Sequence, residues 1–183
     1  MTGARARSFR NEPPSLRSGL VRRPRLLAEL AGRFDRRLTV VVAGAGYGKT
    51  TLLSQAVEEN RLDPRGVDAW LLVGERDRAS AHLLGGLSAA IAGDPEAAPD
   101  VDALCDLVLL RAPESVCLVI DDAHVLDGSD TWDLVSELLA GATQGEPAAD
   151  EARLAVPLEG AGMRRLFGGQ AREHLLGDRV VDL

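Results

Sequence analysis

The chain has 183 residues, of which 45% are apolar, and a formal net charge of −7 at pH 7. This length and composition favour one α/β domain with a hydrophobic core over two complete domains. Because no apolar run approaches the roughly 20 residues of a membrane-spanning helix, and the first residues lack the apolar core of a secretory signal, we expect a cytoplasmic protein with no membrane partner.

The charge is unevenly distributed. Residues 1 to 38 hold ten arginines against three acidic residues, so the remainder is strongly acidic and would repel a phosphate backbone. Residues 1–18 are interpreted as a disordered or arm-like segment that is solvated or faces a nucleotide, and direct DNA binding is not expected. Cys105 and Cys117 lack ligand spacing and are interpreted as reduced core residues.

Hydrophobic periodicity predicts helices and strands that alternate along the chain. The predicted helices cover residues 25–34, 50–60, 80–91, 101–110 and 130 to about 140. The predicted strands cover residues 38–42, 67–73 and 115–121, and residues 92–100 are predicted as a loop. This alternation indicates an α/β fold whose parallel sheet is covered on both faces, with residues 19–141 as its core.

The stretch VVVAGAGYGKTT, residues 40–51, joins the first predicted strand to the second predicted helix. Unpaired N–H groups and the helix dipole make such a helix start favourable for an anion. Glycines at alternate positions let the backbone turn and approach a phosphate closely. The predicted nucleotide-binding residues are Gly44, Ala45, Gly46, Tyr47, Gly48, Lys49, Thr50 and Thr51.

Lys49 is the only lysine among the 21 basic residues of the chain. Its ammonium group can reach the β and γ phosphates of ATP, and the Thr50 hydroxyl can ligate Mg²⁺. The flat fork of an arginine does not replace this compact charge well. The pattern departs from the usual phosphate loop at Ala43, which stands where glycine is normal and is predicted to end the strand. The alternative is a glycine turn with an idle lysine.

A second motif, CLVIDD at residues 117–122, has the form of a buried strand that ends in two acidic residues. Asp121 is predicted to hold Mg²⁺ through water together with Thr50, and Asp122 is predicted to polarise the attacking water as a catalytic residue beside Lys49. The alternative is two aspartates that end a strand in a solvent loop. His124 is more typical of a hydrogen-bonded loop residue than of a catalyst.

Together, LVRRPRLLAEL, VVVAGAGYGKTTLLSQ, AWLLV and CLVIDDAHVLD resemble the N-terminal ATPase of STAND-class signal-transduction NTPases, particularly the large LuxR-type transcriptional regulators typified by the maltose-regulon activator. Their order and spacing agree from about residue 15 to residue 140. The resemblance implies a P-loop NTPase three-layer sandwich of the ASCE type, with strand order 5-1-4-3-2. It also implies a switch that ADP holds closed and that ATP with an inducer opens for self-association.

In that family an N-terminal arginine motif contacts the nucleotide, and the matching positions here are Arg23 and Arg25. The alternative is that both are solvated flanking charges. Family members continue into a winged-helix lid, a helical-repeat sensor and a DNA-binding helix-turn-helix, none of which fits in this chain. We therefore interpret the chain as the nucleotide-binding core of a longer regulator, a short paralogue or the product of an early stop.

The last 42 residues, 142–183, depart from the family pattern and are interpreted as an atypical segment that completes or replaces the last strands. The family's next strand ends in a polar sensing residue. The candidate strand at residues 152–160 instead has Arg153 at the wrong end and Pro157 where the strand should close. Residues 178–183 could form a fifth strand, with loop and short helix between the two. Slow or absent ATP hydrolysis is therefore expected.

Three functions are compatible with these patterns. The favoured one is a regulatory core that binds ATP or ADP with Mg²⁺ and hydrolyses ATP weakly or not at all. A small P-loop kinase would need an arginine-bearing lid and an acceptor segment, which residues 61–100 do not clearly provide. A non-catalytic module that self-associates or pairs with a full-length regulator is the third.

Overall fold

A computed structural model describes residues 9–36, 38–141, 153–158 and 179–182 of the chain. The strands in these ranges are β1 (Leu38–Val42), β2 (Val67–Leu72), β3 (Val116–Asp121), β4 (Arg153–Leu158) and β5 (Arg179–Asp182). The helices in the same ranges are α1 (Pro24–Ala31), α2 (Lys49–Leu62), α3 (Ser80–Ala92), α4 (Val101–Leu109) and α5 (Thr131–Gly141). Short 3-10 turns are the N-terminal turn (Phe9–Asn11), the α1 turn (Gly32–Asp35), the β2 turn (Glu75–Arg78) and the β3 turn (Ala123–Leu126).

The strands form one parallel sheet in the order β2-β3-β4-β1-β5. In the register of β2 and β3, Leu72 lies opposite Asp121, and in that of β1 and β4, Val42 lies opposite Leu158. Because all strands run in one direction, β1 and β3 end at the same edge of the sheet, which we call the carboxyl edge. The predicted mixed α/β fold with a parallel sheet is confirmed.

The core lies on both faces of the sheet. Every residue of β3 is buried, and successive side chains alternate between the faces. Leu118 and Ile120 belong to a cluster with apolar residues of α3, α4 and α5, whereas Cys117 and Val119 belong to a cluster with residues of α1 and α2. This burial explains why β3 is continuously apolar rather than alternating.

Some predicted boundaries were wrong by a few residues. The helix predicted at 25–34 is split, because α1 ends at Ala31 and Gly32 begins the α1 turn. Helix α2 begins at Lys49, one residue earlier than predicted, directly after Gly48. The candidate strands near the C-terminus are β4 and β5, and Pro157 pairs with Val41 inside β4. The loop and short helix predicted between them lie outside the described residues.

A buried ion pair joins the α1 turn to edge strand β2. The side chains of Arg33 and Asp68 are each 3% exposed. Arg33 Nε and Nη2 donate to the two carboxylate oxygens of Asp68 at 2.8 and 2.6 Å, and Asn60 Nδ2 donates to Asp68 Oδ2 at 2.9 Å. Burial alone would lower the pKa of Arg33, but the hydrogen bonds and charge of Asp68 outweigh it and raise the pKa above its ordinary value.

The N-terminal turn lies against the outer side of β2. Asn11 Nδ2 donates to the carbonyl oxygens of Trp70 and Gly86 at 3.2 and 3.1 Å. Arg10 Nη2 lies 2.7 Å from both carboxylate oxygens of Asp77. Of the segment predicted as arm-like, residues 9–11 are therefore held on the sheet, and residues 1–8 lie outside the described ranges.

Among the described residues, no helix combines the length and the apolar character needed to cross a membrane.

Candidate functional site

The loop between β1 and α2, residues 43–48, is called the glycine loop below. Gly46 and Gly48 have φ angles of 78° and 82°, a region that side-chain-bearing residues rarely adopt. A Cβ atom added to Gly44 would lie 3.4 Å from the ring of Tyr47, so this ring packs on the backbone of Gly44. The glycines thus allow a tight turn that starts α2 directly at the carboxyl edge.

Lys49 is the first residue of α2, and its ammonium group bends back over the glycine loop. Lys49 Nζ lies 3.1 Å from the carbonyl oxygen of Ala43 and 3.0 Å from that of Gly44. The contact with Ala43 uses its backbone carbonyl oxygen, so it does not depend on the side chain at this position. The structure therefore holds the positive charge of Lys49 at the glycine loop.

Thr50 and Asp121, predicted as the metal-binding residues, are in direct contact. Thr50 Oγ1 donates to Asp121 Oδ1 at 3.0 Å, across 71 positions of sequence. Asp121 is the last residue of β3 and is 2% exposed. The parallel sheet brings the pair together, because α2 starts at the edge where β3 ends.

The environment of Asp121 disfavours its ionised form. Burial raises the pKa of this carboxyl above its usual range, and the neighbouring charge of Asp122 adds to the effect. The hydrogen bond from Thr50 and the charge of Lys49 oppose the rise without cancelling it. A buried carboxylate near a like charge is typical of functional sites, because a cation can relieve the unfavourable energy.

Replacing Asp121 with asparagine is expected to stabilise the nucleotide-free protein at pH 7 by on the order of 1 kcal/mol, because the amide keeps the acceptor for Thr50 and removes a buried charge. A carboxyl with a raised folded-state pKa is most favourable below its unfolded pKa of about 3.9, and this stability is lost as the pH rises through the folded pKa. The gain in Asp121→Asn should therefore shrink as the pH falls toward that value. Urea unfolding across this pH range would measure it, and an equal or lower stability at pH 7 would contradict it.

Asp122 differs from its neighbour in exposure and backbone conformation. Its side chain is 51% exposed, with Oδ1 3.9 Å from His124 Nδ1. Its φ of 57° and ψ of 30° place it in the left-handed region, which costs free energy for a residue other than glycine. The two neighbouring carboxylates thus differ: that of Asp121 is buried and accepts from Thr50, whereas that of Asp122 faces solvent.

The structure brings Arg23 to the glycine loop and places Arg25 elsewhere. Arg23 Nη2 donates to the carbonyl oxygen of Tyr47 at 3.2 Å. Arg25 is 85% exposed, and its Nε lies 3.6 Å from Glu29 Oε1 in the next turn of α1. Arg25 therefore remains a predicted contact, whereas Arg23 has a described link to the loop.

The other predicted loop residues and one missed residue complete the surroundings. Ala45 is exposed in the loop, and Thr51 is partly buried in the first turn of α2.

Arg78, which the sequence did not single out, donates from Nη1 to the carbonyl oxygens of Val125 and Asp127, both at 2.9 Å. Its position in the β2 turn gives no local signal, because arginine is common throughout this chain.

Comparison with known proteins finds similarity to part of a larger protein. The chain is 29% identical over 115 residues to the HTH-type transcriptional regulator MalT of Cronobacter sakazakii, covering 57% of this chain and 13% of the relative. It is 42% identical over 70 residues to the MalT proteins of two Klebsiella pneumoniae strains, covering 38% of this chain and 7% of each relative. No protein-family model matches the chain. The chain is thus similar to a small portion of a transcriptional regulator.

Proposed function

We propose that this chain is the nucleotide-binding core of a regulatory P-loop NTPase, which binds ATP or ADP with Mg²⁺ at the glycine loop. One observation carries the proposal: the Lys49 ammonium lies over a glycine loop at the sheet edge where Thr50 meets the buried Asp121. In this proposal the bound nucleotide controls self-association or pairing with a full-length regulator. The chain itself would not bind DNA.

The loop is suited to a phosphate group. Lys49 Nζ donates to two neutral carbonyl groups, and a phosphate oxygen would add the attraction of opposite charges to such a hydrogen bond. The first N–H groups of α2 add a second set of donors at the same place. Arg23, which donates to the Tyr47 carbonyl, adds positive charge beside the loop. These groups favour a nucleoside di- or triphosphate over an uncharged ligand.

Thr50 and Asp121 have the donor chemistry that Mg²⁺ prefers, namely a hydroxyl and a carboxylate. The described part of the chain contains no group of three or more His, Cys, Asp or Glu side chains suited to a metal ion. A metal at this place would therefore take its other ligands from water and phosphate, as Mg²⁺ commonly does. Asp122, half-exposed beside this pair, is proposed to orient water.

Strand order and similarity support the family assignment within this proposal. Listed from β5 to β2, the observed order is 5-1-4-3-2, the order that the STAND resemblance implies. The similarity to MalT favours a regulator over a metabolic kinase. Because one fold can host many functions, the assignment depends on the chemistry of the site.

The position of Arg153 supports slow or absent hydrolysis. This residue begins β4 and pairs in register with Cys117 near the start of β3. It therefore lies toward the amino-terminal edge of the sheet, whereas the glycine loop and Asp121 lie at the carboxyl edge. An arginine at that end of β4 is on the wrong side of the sheet to stabilise charge on a transferring phosphate.

Calorimetric titration of the wild-type chain with ATP, ADP and adenosine would test the proposal. We expect adenosine to bind at least about tenfold more weakly than either nucleotide, since each lost hydrogen bond to a charged group costs about 1.5–3 kcal/mol. Mg²⁺ should strengthen the binding of ATP. Equal affinity for adenosine and ATP, or no binding of either nucleotide, would show that the glycine loop is not a phosphate site.

A further inference from the structure

We propose that Arg78 is a positioning residue for the Asp121–Asp122 pair, and that the Mg²⁺-dependent part of nucleotide binding depends on it. The inference rests on the proposed function, because it assigns a role within the same site. The contact that leads to it lies outside the glycine loop: Arg78, in the β2 turn, donates hydrogen bonds to the end of the β3 turn.

Arg78 closes the carbonyl end of the β3 turn. Within that turn, Val125 N donates to Asp122 O at 3.0 Å and Asp127 N donates to His124 O at 3.1 Å. The carbonyl groups of Val125 and Asp127 then both accept from Arg78 Nη1 at 2.9 Å. A positive charge at the carbonyl end of a helical turn is also electrostatically favourable. The guanidinium thus holds the far end of the turn that Asp122 starts.

Asp122 needs such support because of its backbone. A left-handed conformation at a residue other than glycine persists only when the surrounding structure imposes it. If the β3 turn loosened, Asp122 could return to a more favourable conformation, which would turn its side chain and the peptide bond that follows it. The Asp122 carboxylate would then change its position relative to Asp121, whose carbonyl oxygen is held by Val73 N. The contact of Arg78 with the turn therefore bears on the geometry of the acidic pair.

The turn that carries Arg78 is fixed by the buried carboxylate of the preceding residue. Asp77 is 1% exposed, accepts from Gly74 N at 2.7 Å and pairs with Arg10 at 2.7 Å. This arrangement ties the β2 turn to the end of β2 and to the N-terminal turn. Just before it, Val73 N donates to Asp121 O at 3.0 Å. The segment that follows β2 therefore contacts the surroundings of Asp121 and Asp122 at two places: Val73 bonds to the Asp121 carbonyl, and Arg78 bonds to the end of the β3 turn.

This arrangement separates two parts of nucleotide binding. The described contacts of Arg78 go to the β3 turn, whereas Lys49 bonds to the glycine loop, which follows β1 and is separated from β3 by β4. Loss of the Arg78 contact should thus weaken what depends on Asp121 and Asp122 and spare what depends on Lys49. A general loss of structure would weaken both parts together.

The test compares two variants of the 183-residue chain. One is Arg78→Ala, and the other is Arg76→Ala, which replaces an exposed arginine of the same turn. ATP affinity is measured with Mg²⁺ and with EDTA for both variants and the wild type. For Arg78→Ala we expect the gain in affinity from Mg²⁺ to fall about tenfold and the affinity in EDTA to stay within about twofold of wild type, the size of effect typical of lost hydrogen bonds to a charged group. Arg76→Ala should match the wild type, and Arg78→Lys should recover part of the gain.

Amide hydrogen exchange without nucleotide gives an independent readout. In Arg78→Ala, exchange at Val125 and Asp127 should accelerate by about tenfold or more, because their turn opens more often. Unchanged exchange, an unchanged Mg²⁺ gain, or equal losses with Mg²⁺ and with EDTA would each overturn the inference. If the wild type binds no nucleotide, the proposed function fails and the Mg²⁺ role fails with it, while exchange still decides whether Arg78 holds the turn.

Discussion

Replacing Lys49 with alanine is expected to weaken ATP binding by about 10- to 100-fold, since the variant loses a hydrogen-bonding ammonium worth about 1.5–3 kcal/mol against a charged oxygen. The structure holds Nζ over the glycine loop, 3.1 and 3.0 Å from two carbonyl oxygens. A phosphate at this place would take over the ammonium from those weaker acceptors. Calorimetric titration of the variant and the wild type with ATP would measure the loss.

Two controls make this result specific. Lys49→Arg keeps the charge but replaces a compact ammonium with a planar fork, so it should bind ATP more weakly than the wild type despite equal charge. The free energy of unfolding of both variants should stay within about 1 kcal/mol of the wild type, because the two described hydrogen bonds of Lys49 join one side chain to its own loop. Wild-type affinity in Lys49→Ala would remove the site assignment.

The sequence predicted best the elements whose limits are set by neighbouring residues in the chain. Strands β1 and β3 are short apolar runs bounded by charged or turn-forming residues, and both have nearly the predicted limits. The contact between Thr50 and Asp121 was also predictable, because a parallel sheet places the end of one strand beside the helix that follows another. The common direction of the strands, rather than proximity in sequence, joins these two residues.

The pair Arg23 and Arg25 shows where local reasoning was insufficient. Both positions match an arginine motif of the family that the sequence resembles, yet α1 begins at Pro24, between them. Arg23 precedes the helix and can extend to the Tyr47 carbonyl, whereas Arg25 lies in the first turn and pairs with Glu29 four residues on. Because Arg23 lies before the first residue of the helix and Arg25 lies inside it, the two side chains point to different partners.

The ion pairs between distant residues had almost no signal in the sequence. Arg33 and Asp68 are 35 positions apart, and Arg10 and Asp77 are 67 apart. Arginines are so frequent in this chain that none of these stood out, and whether each is buried depends on packing rather than on its neighbours in sequence. A charged residue inside the apolar stretch VDAWLL was the only hint that Asp68 has a buried partner.

Replacing Asp68 with alanine is expected to lower the free energy of unfolding by about 3–5 kcal/mol, because the variant leaves the Arg33 charge buried without its counter-ion. The carbonyl groups of Leu30 and Ala56 still accept from the guanidinium, at 2.8 and 3.4 Å, but they do not neutralise it. Against a typical total of about 5–15 kcal/mol, this loss is a large fraction of the stability. Urea unfolding would measure it.

A matched control in the same protein is the pair of Arg61 and Glu58, whose side chains are 52% and 51% exposed at an N–O distance of 2.9 Å. Arg61→Ala should cost less than about 1 kcal/mol, since solvent screens an exposed pair. Because replacing both partners of a buried pair with apolar residues is often neutral or stabilising, Arg33→Met with Asp68→Leu should be more stable than Asp68→Ala alone. If Asp68→Ala lowers the free energy of unfolding no more than Arg61→Ala does, the buried Arg33–Asp68 pair does not stabilise the contact between the α1 turn and β2.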